Sequence, residues 1–571
     1  MVHRRLLTVL AIGAVLGGAS AIGGTAAPAQ KPLTSQEIAK TILSKGTQLT
    51  APVRAGLEMI ARGDRQLGSN GTTDVSLAAA ANKANQSQGG NQEAGGGLQN
   101  VLVNNPGEDS HQTDQTTQSE TTVAVHGKNI VVGFNDSQMA LGFALTAGLD
   151  LTGYAYSSNG GKTFTDGGGL PNRPGEQNLG DPWLGSDRSG NFYFSNILIN
   201  VDPFTGFSYG IGVAKSTDGG RTFSAPVKAD TQPEAAMNYT SDKPALATGR
   251  DPIVASRDNT YVVWDDFVFD PTTFTLTNGL PVARSFDGGA SYQVTYADRL
   301  VQGGKTGCSF SQFFGSSILA GPRDGTLYVA ATKLAIDDPG CNFPPPTFSH
   351  VLYKSTNGGQ TFGPGTVISD VTPPTPTALL KLGPHQYMRL AEFPNLSMDP
   401  AGNLYDSWND GSKGKSHIRL AKSSDGGATW GCPTAQPSSC WVTTGANDEV
   451  QPAISADASG VHDLYYKRNA DNTLDVIVAN STNGGAGWAF KRVTSQSFPG
   501  VYTFPQFDGA GLASAYMGDY IANTSDGTNQ YFAWGDNRNI VTNFMWPQGR
   551  HDPDVFFAQQ GQDSNDGGGG N

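Results

Sequence analysis

Six copies of nearly the same octapeptide recur along this chain, with between 58 and 70 residues from one start to the next. A fixed period of this length is the signature of a repeat architecture, in which similar units pack side by side. The six copies are SSNGGKTF at Ser157, STDGGRTF at Ser216, SFDGGASY at Ser285, STNGGQTF at Ser355, SSDGGATW at Ser423 and STNGGAGW at Ser481.

The octapeptide has the composition of a tight turn between two strands. Its third residue, Asp or Asn, can bond its own backbone two residues on, and the following Gly-Gly supplies positive φ without steric cost. The Ser and Thr hydroxyls add hydrogen bonds, and the closing aromatic ring gives the turn an apolar anchor. We therefore interpret the repeats as hairpin turns without chemistry of their own.

The composition predicts an all-β fold. Of 571 residues 74 are Gly and only 15% are charged, and the short apolar runs are rich in Val, Tyr, Phe and Trp with turn residues between them. Although the length would accommodate two or three ordinary domains, the repeats favour one large domain.

The N-terminus predicts export. His3, Arg4 and Arg5 precede an apolar run that ends in small residues, so we interpret residues 1–29 as a signal peptide cut after Ala27 or Ala29. A membrane anchor is the alternative, and no later segment approaches spanning length. The expected location is secreted, extracellular or at the cell surface.

The segments flanking the repeats have their own composition. Residues 30–66 predict a helical pro-segment or spacer, with a capping box at residues 34–37 and a second helix from Pro52 through Ile60. Residues 67–112 are rich in Gly, Asn, Gln and Ala and predict a low-complexity linker. Residues 561–571 predict a disordered tail.

Four cysteines in an exported chain are more typical of disulfides than of metal ligands. We expect two local pairings, one between Cys432 and Cys440 and one between Cys308 and Cys341.

The formal net charge of −13 argues against nucleic-acid and anionic-membrane partners, which attract basic patches. It is compatible with neutral glycans or cations. The sequence has no metal-binding His spacing, phosphate-cradling Gly loop or Gly-x-Ser-x-Gly elbow, which disfavours a serine hydrolase and a nucleotide-binding enzyme.

Each repeat is longer than its turn. Each unit has an apolar first strand followed by an aromatic second strand. The chain contains seven such units but only six octapeptides. A sheet of about four strands cannot bury both of its faces alone. Radial packing of such sheets around an axis buries the faces between neighbouring sheets. We predict a seven-bladed β-propeller over residues 113–560, closed by a strand around Thr116–Thr122 or just upstream; a six-bladed propeller with an irregular insertion is the alternative.

The octapeptides match the pattern S-x-[DN]-x-G-x-[TS]-[FWY], with Gly487 replacing Thr in the last copy. The chain from about Thr113 onward thereby resembles the Asp-box, or bacterial-neuraminidase-repeat, propellers of the sialidase superfamily. The resemblance implies the propeller fold and a sialidase-like exo-glycosidase if the chain is an enzyme. The Arg-Ile-Pro motif of true sialidases does not occur in this sequence.

In a propeller the first strands begin, and the second strands end, on the face opposite the octapeptide turns. We therefore expect functional residues at the starts of the first strands, where six of seven units carry a carboxylate. These carboxylates are Glu120, Asp181, Asp242, Glu392, Glu449 and Asp519. Carboxylates that converge at one opening of the propeller raise one another's pKa, which suits them to acid/base catalysis. The same arrangement can instead bind a hard cation.

The leading hypothesis is a secreted glycoside hydrolase that acts on an extracellular glycan or polysaccharide, as a monomer and without a cofactor. A pair from Asp242, Glu392, Glu449 and Asp519 serves as acid and as base or nucleophile, with Tyr387 beside them. Substrate-binding residues are predicted to be Arg389, Arg468, Arg538, Glu120 and Asp181.

Three alternatives stay open from the sequence. The carboxylates staple neighbouring blades together, or they hold a structural calcium ion. The third alternative is a non-catalytic surface or matrix propeller that binds glycan or protein through its acidic face.

Overall fold

The computed structural model describes residues 97–108, 118–136, 151–202, 206–231, 239–270, 275–303, 309–337, 344–375, 379–383, 386–500, 517–541 and 550–561. Strands account for 58% and helices for 2%. The predicted signal peptide, N-terminal helices, Cys308–Cys341 pairing and C-terminal tail lie outside these residues. Within these ranges, no helix has both the length and the apolar character needed to cross a membrane.

The described residues form seven antiparallel sheets, here called blades I to VII in chain order, and one separate two-stranded hairpin; this confirms the seven-bladed propeller and excludes the six-bladed alternative. Blade I has Gln118–His126, Asn129–Asp136, Thr152–Ser157 and Thr165–Gly168. Blade II has Trp183–Ser186, Phe192–Asp202, Gly206–Ser216 and Val227–Lys228, and Glu176–Asn178 extends its second strand's pairing. Blade III has Tyr239–Arg250, Asp258–Asp270, Thr275–Ser285 and Gln293–Gly303.

The remaining blades follow the same plan. Blade IV has Phe310–Ala320, Leu327–Ile336, Thr347–Ser355 and Thr366–Val371. Blade V has Asn395–Met398, Leu404–Asp410 and His417–Ser423, and a hairpin of Leu379–Gly383 and Gln386–Arg389 precedes it. Blade VI has Glu449–Ala456, Val461–Arg468, Thr473–Ser481, Ala489–Arg492 and the short Phe498–Pro499. Blade VII has Ala522–Ser525, Asn529–Val541 and Arg550–Gly561.

A strand from the N-terminal side completes blade VII. Val101–Leu102 pairs with Arg550–Gly561, with Val101 opposite Phe557 and Leu102 opposite Phe556. This closing strand lies upstream of the boundary predicted at residue 113, inside the stretch interpreted as linker. Gln118–His126, which overlaps the predicted closing segment, is instead the first strand of blade I. A two-residue strand offers little hydrophobic pattern, which is why the sequence did not reveal it.

The octapeptides form the hairpin turns expected of them. In the second copy Gly220 N–H donates to Ser216 Oγ at 2.9 Å, and Thr222 Oγ1 donates to Asp218 Oδ2 at 2.7 Å. In blade III, Ser285 pairs with Thr260 near the start of the second strand, whereas Asp266 pairs with Gly279 near its far end. The octapeptide turns therefore lie at the opposite ends of the strands from the first-strand starts.

The hydrophobic core lies between the blades. Trp264 of blade III is fully buried in a cluster that includes Tyr193 and Ile211 of blade II. The first strands of neighbouring blades contact one another around the axis. Cys432 and Cys440 form the predicted disulfide, with their Cα atoms 4.5 Å apart.

Candidate functional site

The first strands share a backbone feature where they meet the axis. In five blades a residue with positive φ lies two positions before the residue at which regular strand pairing begins or, after a bulge, resumes. These residues are Glu120 (φ 53°), Asp181 (54°), Lys243 (48°), Gly315 (65°) and Gln451 (52°). Positive φ is uncommon for residues other than Gly, and bulges of this kind re-aim side chains and are enriched beside active sites. We call these five the axial residues.

The predicted carboxylates do not all occupy equivalent positions. Glu120 and Asp181 are axial residues, but in blade III the axial residue is Lys243, one position after Asp242. Glu449 lies two positions before Gln451. The predicted carboxylates therefore stand at three different positions relative to the positive-φ residue of their strands.

Carboxyl groups from four blades nevertheless meet at the axis. The Asp181 carboxyl group lies within hydrogen-bonding reach of the carboxyl groups of both Glu120 and Asp242. The backbone N–H of Asp519 donates to Glu120 Oε1 at 3.2 Å. Asp265, which pairs with Asp242 across blade III, acts electrostatically on the Asp242 carboxyl. We call Glu120, Asp181, Asp242, Asp265 and Asp519 the axial carboxyl cluster.

Part of this cluster joins neighbouring blades. Asp265 of blade III accepts hydrogen bonds from the backbone N–H groups of Gly315 and Ser316 in blade IV, at 2.6 and 3.3 Å. Asn135 of blade I donates to Glu120 at 2.5 Å and accepts from the backbone N–H of Asp181 in blade II at 2.7 Å. Asp265, and Glu120 through the backbone N–H of Asp519, therefore tie neighbouring parts of the ring together.

Lys243 is the cation at the centre of this arrangement. Its side chain is buried, and its Nζ lies 4.1 Å from the ring centroid of Tyr520, 4.6 Å from Phe393 and 5.2 Å from Trp183. The described residues offer this ammonium no direct hydrogen bond or ion pair. The three ring faces and the more distant carboxylates stabilise its charge.

Burial dominates the titration of this region. It raises the pKa of Asp181, and it raises that of Asp242 well above its ordinary value, with the carboxyl groups of Asp181 and Asp265 adding to the shift. Burial raises the pKa of Asp265 to about 6, against the opposing hydrogen bond from Gly315. Burial lowers the pKa of Lys243, although Asp181 and the other carboxylates oppose this. Burial therefore favours the protonated forms of Asp181, Asp242 and Asp265.

Asp519 differs from the other members because it meets an arginine. Arg389 Nη2 lies 2.8 Å from Asp519 Oδ2. The other oxygen, Oδ1, is buried and has no hydrogen-bond partner among the described residues. Gln451 donates through Nε2 to the carbonyl groups of Arg389 and Gly518, and its Oε1 is likewise buried without a partner in the described part of the chain.

These residues line a pocket at the end of the axis. Its cavity volume is about 10 Å³, which is room for about one water molecule, and its walls include Trp183, Lys243, Phe393, Gln451, Asp519 and Tyr520. The pocket thus combines three aromatic rings, one ammonium group and two buried oxygens that have no hydrogen-bond partner among the described residues.

Glu449 lies in a different environment. His417 Nδ1 is 2.6 Å from its Oε2, and Thr443 Oγ1 donates to the same oxygen at 3.2 Å. Burial raises the pKa of Glu449, while His417 acts in the opposite direction. These contacts do not include the axial carboxyl cluster.

Two of the predicted arginines also have partners elsewhere. Arg468 pairs with Asp448, with Nη1 3.1 Å from Oδ2. Arg538 Nε donates to Asp536 Oδ1 at 2.9 Å and its guanidinium stacks on Phe556. Among the three predicted arginines, Arg389 alone contacts a member of the axial carboxyl cluster within the described residues.

Glu392 and Tyr387 complete the predicted set. Glu392 is buried immediately before Phe393, and its backbone carbonyl accepts from Thr332 and faces His350 Nε2 at 3.0 Å. Tyr387 pairs with Lys381 in the hairpin before blade V, but its side chain lies outside what the structure describes.

Sequence reasoning did not assign Trp183, Lys243, Phe393 or Gln451 to the site. A polar residue directly before a proline in the first strand is the signal that singles out Lys243, which precedes Pro244. The same signal selects Gln451, which precedes Pro452. No sequence signal distinguishes Phe393 from the other aromatic residues.

Among the described residues, no group of three or more His, Cys, Asp or Glu side chains is placed to hold a metal ion. The calcium alternative stays a prediction.

No protein-family model matches this chain, and no curated protein matches it. Solved structures do resemble it. The alpha-L-arabinanase of Penicillium chrysogenum aligns with a TM-score of 0.37 and 15% identity over 67% of this chain and 93% of that one. A family PL25 ulvan lyase aligns with a TM-score of 0.42 and 10% identity over 81% and 93%. Trypanosoma rangeli sialidase aligns with a TM-score of 0.36 and 10% identity over 75% and 66%. These likenesses concern the propeller fold alone.

Proposed function

We propose that this protein is an exported glycoside hydrolase whose active site is the axial pocket. The observation that carries the proposal is the meeting of Asp519, which lines the pocket and is paired with Arg389, with carboxyl groups whose pKa values are raised. Glycoside hydrolysis canonically uses two carboxyl groups, one protonated and one ionised. The proposed site offers two carboxyl groups in different surroundings, one whose pKa is raised by burial and one beside an arginine.

The roles follow from the surroundings of each group. Asp242 keeps some exposed surface, and burial together with the carboxyl groups of Asp181 and Asp265 raises its pKa well above the ordinary value, which favours the protonated form that a general acid needs. It gives its proton to the glycosidic oxygen as the bond to the leaving sugar breaks. Asp519, held by Arg389, is the second carboxyl group of the pair and acts as the base for water or as the nucleophile.

A screen of the purified protein against chromogenic glycosides and polysaccharides tests this proposal. Replacement of Asp519 by Asn, or of Asp242 by Asn, should lower kcat/KM by about a hundredfold or more. Asp425→Asn is the matched control, because Asp425 lies in an octapeptide turn where three other copies already carry Asn. Unchanged activity in both cluster variants would remove the assignment of the site.

A non-catalytic glycan-binding propeller is the second candidate. The hydrogen bonds that tie Asp265 and Glu120 to neighbouring backbone favour it, because groups used in this way are not free for proton transfer. Saturable glycan binding without turnover of any substrate in the screen would support this candidate.

A further inference from the structure

Three of the six octapeptide turns carry Asn where the other three carry Asp, and Gly-Gly follows the Asn in each case. These asparagines are Asn159, Asn357 and Asn483. Side-chain amides are thermolabile, and Asn followed by Gly is the most reactive arrangement, because glycine has no Cβ to hinder the approach of its backbone nitrogen to the amide carbon. The three turns are therefore chemically reactive sequences that the fold holds in different ways.

The reaction at such a sequence has two steps. The backbone nitrogen of the glycine bonds to Cγ of the Asn, and the side-chain nitrogen leaves as ammonia and takes the glycine N–H proton with it. The product is a succinimide ring. Water then adds to the ring and opens it, which leaves either an aspartate or an isoaspartate. The side chain must turn toward the glycine, so any hydrogen bond that holds the amide group slows the first step.

The first and fourth turns hold the amide group of their Asn at both ends. Asn159 Nδ2 donates to Thr163 Oγ1 at 2.8 Å, and its Oδ1 accepts from the backbone N–H groups of Lys162 and Thr163 at 3.1 and 3.2 Å. Asn357 Nδ2 likewise donates to Thr361 Oγ1 at 2.8 Å, and its Oδ1 accepts from the Thr361 N–H at 3.0 Å. These bonds must break before either amide can react.

The sixth turn holds its Asn less firmly. Gly487 occupies the position at which the first and fourth turns have Thr, so the hydroxyl acceptor is missing. Asn483 Oδ1 still accepts from Ser481 Oγ at 2.8 Å and from the Gly487 N–H at 2.9 Å. The residue is exposed, and its Nδ2 donates no hydrogen bond to the described residues. The amide nitrogen that must leave is therefore held only by its bond to Cγ.

The attacking nitrogen differs between the turns as well. In the first turn the Gly160 N–H donates to the carbonyl of Lys128 at 3.0 Å. The N–H groups of Gly358 and Gly484 make no such backbone hydrogen bond within the described part of the chain. Asn159 is therefore protected at the nucleophile and at the amide, Asn357 at the amide, and Asn483 at neither.

A cation lies beside the glycine of the sixth turn. A Cβ at Gly484 would lie 2.8 Å from Lys422 Nζ, whereas one at Gly160 would meet no atom within 4 Å. The atoms nearest to a Cβ at Gly358 belong to uncharged side chains. An ammonium group stabilises the negative charge that develops on oxygen when the nitrogen adds to the amide carbon, and it also stabilises a carboxylate product.

The octapeptide turn accommodates an aspartate at this position. In the second turn Asp218 Oδ1 accepts from Ser216 Oγ at 2.8 Å and from the Thr222 N–H at 3.1 Å. Asn483 Oδ1 accepts from the equivalent hydroxyl and N–H groups of its own turn. Conversion of Asn483 to Asp thus keeps the hydrogen bonds of the turn.

We propose that Asn483 is a site of spontaneous deamidation, at which a succinimide formed with Gly484 replaces the amide by a carboxylate, and that it reacts faster than Asn357 and Asn159. The product gives the sixth turn the aspartate that the second, third and fifth turns already carry. It adds a negative charge at the opposite end of the strands from the axial pocket. The inference does not depend on the proposed hydrolysis.

Peptide mapping by mass spectrometry tests the inference on the intact, folded protein. The protein is incubated at mildly alkaline pH and digested at acidic pH, and the three asparagines are followed by the mass increase that exchange of an amide for a carboxyl group gives. Asn483 should convert about threefold or more faster than Asn357, as expected when one hydrogen bond is absent. Equal rates, or faster conversion of Asn357 or Asn159, would overturn the inference.

Incubation in denaturing urea separates the effect of the fold from that of the sequence. Asn357 and Asn483 both lie in the sequence Ser-Thr-Asn-Gly-Gly, so in the unfolded chain they should convert at similar rates. A preference for Asn483 that persists unchanged in urea would show that the folded turn is not its cause and would also overturn the inference.

Two reciprocal variants assign the difference to the hydroxyl group. Gly487→Thr supplies the missing acceptor and should slow conversion of Asn483 to about the rate of Asn357; a Cβ at Gly487 would lie 3.4 Å from Asn483 Nδ2, an ordinary contact. Thr361→Gly removes the acceptor from the fourth turn and should speed conversion of Asn357 by about threefold. Melting temperatures identify a variant that unfolds, in which case the other one decides. Unchanged rates in a folded variant would contradict the role of the hydroxyl.

Discussion

The hydroxyl group of Tyr520 in blade VII donates a hydrogen bond of 3.1 Å to the backbone carbonyl of Pro182 in blade II. These two blades are not neighbours in the ring, because blade I stands between them. The bond therefore lies across the axis, directly beside the ammonium of Lys243.

Tyr520→Phe should destabilise the protein without changing its shape. The variant removes the hydroxyl donor and leaves the Pro182 carbonyl without this partner, at a cost of about 1–2 kcal/mol in the free energy of unfolding. Urea denaturation measures the change. Tyr156→Phe is the control, because the Tyr156 hydroxyl makes no hydrogen bond with the described residues, and equal losses in the two variants would contradict the prediction.

Two adjacent glycines in the first octapeptide turn should respond differently to alanine. Gly160 and Gly161 both have positive φ, at 74° and 77°, so a Cβ strains the backbone at either position. A Cβ on Gly161 would also lie 2.4 Å from Phe557 of blade VII, whereas one on Gly160 meets no atom within 4 Å. Gly161→Ala should therefore cost about 1–3 kcal/mol more than Gly160→Ala, and equal melting temperatures would show that this contact between the blades relaxes freely.

Lys243→Met should destabilise the protein in a manner that depends on pH. The variant leaves buried carboxylates without their cation, which costs about 3–5 kcal/mol when they are ionised. Lys243 lowers the pKa of Asp265, so in the variant that pKa rises above about 6. The loss should be largest at pH 8 and shrink toward pH 4, where the carboxyl groups are protonated.

Lys215→Met is the control for that experiment. Lys215 also lies over a tyrosine ring, at 5.3 Å from the Tyr193 centroid, and donates to the carbonyl of Gly288. Its neighbours do not form a carboxyl cluster, so a small and pH-independent loss is expected. A pH-independent loss in Lys243→Met as well would contradict the electrostatic role of Lys243.

A fourth prediction concerns Asp463, outside the pocket. Burial raises its pKa to about 7, although a hydrogen bond from Ser407 opposes the shift. Because the folded-state pKa lies above the unfolded value, the stability this group contributes is fully present below about pH 4 and is lost as the pH rises through about 7. Asp463→Asn removes this dependence.

The stability of Asp463→Asn relative to the natural protein should therefore increase from pH 4 to pH 8. Urea denaturation across that range measures the difference. Asp425→Asn should show no such trend, because hydrogen bonds from Thr429 hold the pKa of exposed Asp425 at about 2. A flat difference for Asp463→Asn would show that this carboxyl group titrates normally.

The sequence predicted the fold well because the fold is repetitive. The octapeptides at Ser157 and its five counterparts set the period, the pattern between them revealed the seventh unit, and the Cys432–Cys440 pairing followed from proximity. The site was harder to predict because it depends on register. The bulge in blade III brings Lys243 to the axial position directly after Asp242, and no periodicity in the sequence marks where a bulge begins.

The composition of the axial pocket depends on contacts between distant parts of the chain. Phe393 reaches Lys243 because blades III and V face each other across the axis, and Arg389 reaches Asp519 from a hairpin outside the blades. Their proximity follows from the closed ring. The sequence could therefore suggest the face on which the site lies, and only the assembled ring identifies its residues.

The strand at Val101–Leu102 joins the N-terminal side of the propeller to its C-terminal strand. Asn104 Oδ1 accepts from the backbone N–H of Val555, 451 residues further along the chain, so the two ends of the propeller hold each other directly. Contacts of such long sequence separation form slowly, because the chain must first lose the conformational entropy of closing a long loop. During synthesis, therefore, blade VII cannot be completed until the strand Arg550–Gly561 emerges and pairs with Val101–Leu102.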